Sequence, residues 1–292
     1  MKSIGIATDS HCGLSHEEAK ELGIKILPMP FYFEEECYYE GVSLTREEFF
    51  RRLNAGEKVS TSQPSPESVM KLWREALEEC EKLLYMPMSS GLSGSCNTAK
   101  MLAGESEFKD KVYVVDHGRI ATPLRRTLYD AVELVDEGYD IEKIKEILEN
   151  EKDKMSIYIA VETLEFLKKG GRISAATAAI GTILNIKPIL KLGVGLLESF
   201  GKSRGMKKAR KEMLAAIKQD IEVTFREYYD RGELYLLAAT SADEETTQDW
   251  LDEIHECFPD MEILCSDLSL GISCHTGEGA LGVGCSCKPR RI

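Results

Sequence analysis

The sequence is poor in several features that mark common functional classes. Positive charge is in deficit, with 37 Lys and Arg against 50 Asp and Glu and a net charge of -13. Such an excess repels phosphate backbones and anionic lipid surfaces, so neither nucleic acid nor membrane association is expected. Long apolar runs are also missing. One uncharged segment, Ile173 to Ile186, is too short to cross a bilayer and carries Ser, Thr, Gly and Asn. The N-terminal MKSIGIATDSH holds no apolar segment of the length a secretory leader needs. Proline is scarce, at 9 of 292 residues, and 43% hydrophobic with 30% charged residues excludes disorder, collagen and coiled coil. The 9 cysteines are odd in number, and without an export leader they read as free thiols of a cytoplasmic protein rather than a disulfide framework.

What is present is a change of rhythm along the chain. In the first half, strand-like runs (Ser3 to Thr8, Ile24 to Met29, Leu83 to Pro87, Val112 to Asp116) alternate with helix signals. Ser15 and Ser65-Pro66 open two of those helices, and Thr45 with Glu48 suggests a capping box at a third. This alternation predicts a parallel sheet wrapped by helices. In the second half the strand candidates Pro188 to Leu192 and Gly195 to Phe200 come as a pair. Met213, Ile217, Ile221, Phe225 and Tyr228 form one stripe of a long helix. The expected architecture is an N-terminal α/β domain, residues 1–154, and a C-terminal α+β domain, residues 155–292, with a mixed or antiparallel sheet.

Two hydroxyl-rich loops precede helices. In Ser89-Ser90-Gly91-Leu92-Ser93-Gly94-Ser95 the glycines let successive N–H groups converge near a helix start, which suits an anion. No Gly-Lys-Ser/Thr follows, so this is no Walker A loop, and the final glycine of a nucleophile elbow is missing. Simple helix capping is the alternative, and both readings stay open. The second loop, Ser60 to Pro66, places Thr61 and Ser62 upstream of the capping Ser65. With no lysine in either loop, such a cradle suits a carboxylate better than a triphosphate. The stretch Gly277 to Gly282 matches G-x-G-x-x-G, but too little chain follows for a dinucleotide unit, and a tight turn beside His275 is the expectation. Cys285-Ser286-Cys287 lacks zinc-ligand spacing, so no metal is expected. His11, His16, His117 and His255 carry no motif and read as surface or loop residues. The basic run Lys202 to Lys211 reads as a solvated face, with Arg204 set apart in the loop before the long helix.

Several segments together resemble the DegV family of bacterial fatty-acid-binding proteins. They are Thr8-Asp9-Ser10, Thr61 to Ser65, Ser89 to Gly94, Val161 to Ile173 (VETLEFLKKGGRI) and Asn185 to Leu190. The resemblance implies two domains with one long-chain fatty acid, palmitate for example, buried between them, and no other cofactor. It implies carboxylate contacts from Thr61 and Ser93 first, with Ser62, Ser90 and Gly94 in the same loops, and from His275 and Arg204. Arg172 would be structural. Ile173, Ile180, Ile183 and Leu184 are the candidate walls of an acyl-chain pocket. His117-Gly118-Arg119 departs from the small hydroxyl residue the family tends to carry there. The family also implies a partner, a fatty acid kinase subunit that phosphorylates the presented carboxylate, with this chain a non-catalytic carrier. Burying around 15 methylenes at ~0.8 kcal/mol each gives ~12 kcal/mol before ordering costs, so the tail would supply affinity and the head group orientation. The rivals are a serine hydrolase using Ser93, His275 and Asp116, and a regulatory lipid sensor without a kinase.

Overall fold

The computed structural model describes residues 2–174, 177, 186–193 and 197–291. Three sheets organise the chain. The first is wholly parallel, in the order β2-β1-β6-β7, from β1 (Lys2–Asp9), β2 (Ile24–Leu27), β6 (Cys80–Met86) and β7 (Val112–Val114). Its crossovers are α1 (His16–Leu22), α3 (Pro66–Leu77) and α4 (Ser95–Ala103), and α5 (Ala121–Asp136) and α6 (Ile141–Asn150) follow it. Helix starts fall where the capping residues stand. Ser15 and Glu18 form a reciprocal box, and Ser65 accepts from Ser68 N–H with Pro66 at the first helical position. At α2 (Arg46–Asn54) only half of the expected box forms. Thr45 accepts from Glu48 N–H, but the Glu48 carboxylate turns to Arg51.

A small antiparallel sheet, β4-β3-β5, is inserted after β2 and was not anticipated from the sequence. It comprises β3 (Pro30–Phe33), β4 (Glu36–Tyr39) and β5 (Val59–Thr61). Phe31 and Phe33 of β3 pack against Phe49 of α2, with ring centroids 5.4 to 6.3 Å apart.

The third sheet is mixed, in the order β10-β9-β8-β13-β11-β12, with only β11 and β12 parallel. Its strands are β8 (Met155–Ala160), β9 (Ile186–Leu192), β10 (Leu197–Arg204), β11 (Leu234–Thr240), β12 (Ile263–Asp267) and β13 (Leu281–Cys287). Among the described residues its further helices include α7 (Glu165–Gly170), α8 (Met206–Gln219), α9 (Arg226–Asp230), α10 (Glu244–Cys257) and α11 (Leu270–Thr276). The expected long helix is broken by a π-turn at Asp220–Thr224. Met213, Ile217, Ile221, Phe225 and Tyr228 nonetheless all bury in one core with Trp250. The chain turns just after His275, at Gly277 and Gly279, both at positive φ, and the cysteine-bearing tail then becomes the central strand β13 with Cys285 and Cys287 buried. None of the nine cysteines is paired.

Candidate functional site

The motif Thr8-Asp9-Ser10 organises the loop end of the parallel sheet. Thr8 Oγ1 donates to Met86 O at 2.7 Å, and Ser10 Oγ accepts from Met29 N–H at 3.0 Å. The Asp9 carboxylate accepts from His11 N–H at 3.0 Å and Met88 N–H at 2.7 Å, so one buried side chain fixes two loops. Burial outweighs these bonds and pushes the Asp9 pKa up to about 6. Next comes the serine loop, held to the chain after β7 by Ser89 N–H donating to Arg119 O at 2.8 Å. Its Ser93 N–H turns back onto Ser89 O at 3.1 Å.

Between these loops and the mixed sheet lies a cavity, with about 1030 Å³ of space not filled by atoms when the open solvent at its mouth is included. Its body is apolar, with Met88, Ile120, Ile159, Leu192 and Leu237 among its walls. Polar groups collect among Thr61, Ser62, Ser93, Arg172, His11 and His275. Thr61 Oγ1 and His275 Nε2 are hydrogen-bonded at 2.8 Å, joining β5 to α11. Burial, with the Arg172 charge adding to it, lowers the His275 pKa to about 4. Burial and then His275 lower that of His11 to about 3, so both rings are neutral near pH 7. Gly170 is what lets His275 in, since a Cβ there would lie 2.1 Å from its Nδ1. Gly171, at φ 68°, caps α7 and delivers Arg172 to the cavity. Arg172 has no carboxylate partner among the described residues, so its charge is available to an anion in the cavity.

The sequence expectations divide here. Thr61, Ser62, Ser93 and His275 meet on the cavity wall. Ser90 does not, because its hydroxyl donates to Asp116 at 3.0 Å. Gly94 is the N-cap of α4, where a Cβ would stand 3.1 Å from Gln63 Oε1, so it serves loop packing. Arg204 is corrected: it ends the edge strand β10, exposed, and the guanidinium on the cavity wall is that of Arg172. Ile173 packs beside the cavity with Leu167. Ile180, Ile183 and Leu184 lie outside the described residues. His11 and His117 are buried rather than surface residues. His11 Nδ1 meets Ser269 Oγ at 2.8 Å, and His117 accepts from Arg119 N–H at 3.0 Å. The only local hint of His11's role was its place directly after Thr8-Asp9-Ser10. The triad required by a hydrolase does not assemble, since Asp116 pairs with Lys100 and Lys152 at 3.0 Å. Among the described residues no group of three or more His, Cys, Asp or Glu is placed to hold a metal, and no helix is long and apolar enough to cross a membrane.

Helix α11, which carries His275, is held from outside by Glu40. Its Oε1 accepts from Leu270 N–H at 2.9 Å, and Arg46 nearby reaches Leu268 O at 3.2 Å and Asp267 at 3.6 Å. Burial raises the Glu40 pKa from 4.5 to about 7, with the Leu270 bond and Arg46 acting against it. The folded state thus holds this proton more tightly than the unfolded one. Stability falls as pH rises from 4.5 to about 7 and stays low above it. Glu40→Gln keeps the acceptor and removes the charge. Urea titrations should find the variant more stable by about 1–3 kcal/mol above neutrality, with the difference vanishing in mild acid. An equal difference at both pH values would disprove this assignment.

Fold and site together define an α/β protein in which two sheets enclose an apolar cavity with hydroxyls, imidazoles and a guanidinium on its wall. The chain belongs to the DegV family, whose sequence profile, described as "uncharacterised protein, DegV family", matches residues 3–288. A DegV domain-containing protein of Deinococcus radiodurans is 32% identical over 286 residues, covering 96% of this chain and 97% of that one. A solved DegV family protein from Thermus thermophilus, described as fatty acid binding, is 33% identical with a TM-score of 0.85, over 98% of this chain and 99% of that one. DegV of Bacillus subtilis, described as a fatty acid binding protein, is 27% identical with a TM-score of 0.82, over 99% of this chain and all of that one, 100%.

Proposed function

We propose that this protein binds one long-chain fatty acid in the cavity between its sheets and works without catalysis, as a cytoplasmic carrier. Residues 1–154 and 155–292 act as two domains closing over the acid. One observation carries the reading: an apolar cavity whose polar groups include hydroxyls, neutral imidazoles and the guanidinium of Arg172, which has no carboxylate partner among the described residues. A methylene chain fits the walls, and a carboxylate fits the polar cluster, with Thr61 and Ser93 as donors and Ser62, His275 and Arg172 beside them. The fatty-acid-binding relatives from Thermus thermophilus and Bacillus subtilis support it. The chain brings no nucleotide loop to this site, so phosphorylation of the presented carboxylate falls to a partner, a fatty acid kinase subunit.

Native mass spectrometry of the purified protein should show an added mass of a long-chain fatty acid. A protein that is empty and also refuses palmitate and oleate overturns the reading. Thr61→Ala and Ser93→Ala should each weaken palmitate binding by about 1–3 kcal/mol in equilibrium dialysis. Unchanged affinity in both would remove them from the head-group site.

A further inference from the structure

The cavity floor is laid by β13, and its residues follow a strand's alternation. Leu281, Val283, Cys285 and Cys287 bury in the core beneath α8 and α10, so Gly282, Gly284 and Ser286 take the cavity-facing side. Register places these residues in ranks across the sheet. Gly282 lies between Ile159 of β8 and Ala239 of β11, and Gly284 between Ile157 and Leu237. Both ranks border the cavity. The next rank, Ser286 with Met155 and Tyr235, does not, and the Tyr235 hydroxyl meets Asp130 instead at 3.3 Å. Because β13 begins just after the helix carrying His275, the Gly284 rank lies farther from the polar cluster, by ~7 Å, than the Gly282 rank.

The two ranks differ in what occupies the glycine hollow. At Gly282 the nearest atoms to an added Cβ would be Ala239 O at 3.3 Å, Tyr158 O at 3.6 Å and Ala239 Cβ at 3.8 Å, so no side chain occupies that hollow. At Gly284 it would stand 2.2 Å from Ile157 Cδ1 and 2.6 Å from Ser156 O, so the isoleucine tip lies directly over that glycine, beside the neighbouring backbone. We infer that Ile157, seated over Gly284, is the stop that sets the length of acyl chain the cavity accepts, while bare Gly282 beside Ala239 keeps the path to it clear. The inference rests on the fatty acid reading above. A chain that is too long must displace a packed side chain, and one that is too short leaves a void against it.

The experiment offers delipidated protein an equimolar mixture of laurate, myristate, palmitate, stearate and arachidate and reads the bound acids by native mass spectrometry. Ile157→Ala should move the distribution to the next longer acid, with the ratio of neighbouring acids changing by about tenfold for two methylenes. Ile157→Val should move it the same way by less, and it serves as the readout should the alanine variant fail to fold. Gly282→Val should move it toward the shorter acids. If the wild-type protein loads while the variants keep its distribution, or if the Ile157 variants favour shorter acids, the inference is overturned and the fatty acid reading stands. If the wild-type protein takes none of these acids, the reading itself falls and the inference with it.

Discussion

Gly170→Ala is expected to weaken palmitate binding roughly hundredfold, as much as removing the His275 imidazole does. The new methyl would lie 2.1 Å from His275 Nδ1 and 2.6 Å from its Cε1, well inside contact distance. The ring cannot stay, and its bond to Thr61 goes with it. Helix propensity works in the opposite direction, because alanine at the last position of α7 favours the helix. The effect on binding therefore separates from any effect on folding. The decisive comparison is a double-mutant cycle. In a His275→Ala background the notch is vacant, and Gly170→Ala should cost little more. If the glycine change weakens binding equally in both backgrounds, Gly170 serves the end of α7 rather than the histidine, and the assignment fails.

How far the sequence reached is clearest at particular residues. The parallel sheet and its helices were legible because they rest on local signals: apolar runs for strands, Ser15 and Ser65-Pro66 for helix starts. The stripe from Met213 to Tyr228 correctly marked one buried face, yet periodicity cannot see a π-turn that keeps the stripe while breaking the helix. Strand β13 was hidden because its cavity side is glycine and serine, which erases the alternation that betrays a half-buried strand. The small sheet was missed because its strands are short and meet at Glu34, a non-glycine residue with φ 52°. Among the site residues, the hydroxyls came from motif position, whereas Arg172 and Arg204 look alike in sequence. Only the topology, one arginine behind Gly171 at the cavity and the other on an edge strand, separates them. The burial of His11 and His117 likewise arises from tertiary contacts that no neighbouring residue announces.

Arg119→Met should lower stability by about 3–5 kcal/mol, measured as the free energy of urea unfolding near neutral pH. Arg119, in the segment where the chain departs from its family's habit, is 1% exposed. Its guanidinium donates to Thr127 Oγ1 at 2.9 Å and to Glu151 O at 2.8 Å, tying α5 to the chain leading into β8. It also faces Asp130, itself 1% exposed, which Arg126 holds at 2.9 Å. Methionine has the length but none of the donors, and it leaves Asp130 with one cation instead of two. Burial already raises the Asp130 pKa, with Arg126 and then Arg119 opposing the rise, so losing Arg119 moves it higher. A carboxyl whose folded-state pKa is raised gives a less stable protein as pH climbs through that value, and relief as pH falls. The penalty of Arg119→Met should accordingly be largest in mild alkali and shrink toward acid. In an Asp130→Asn background, where no charge is left to strand, the same change should cost less by 1 kcal/mol or more, about the coupling seen between members of one buried network. A penalty that is independent of pH and unchanged by Asp130→Asn would show that Arg119 acts through packing and its two hydrogen bonds alone.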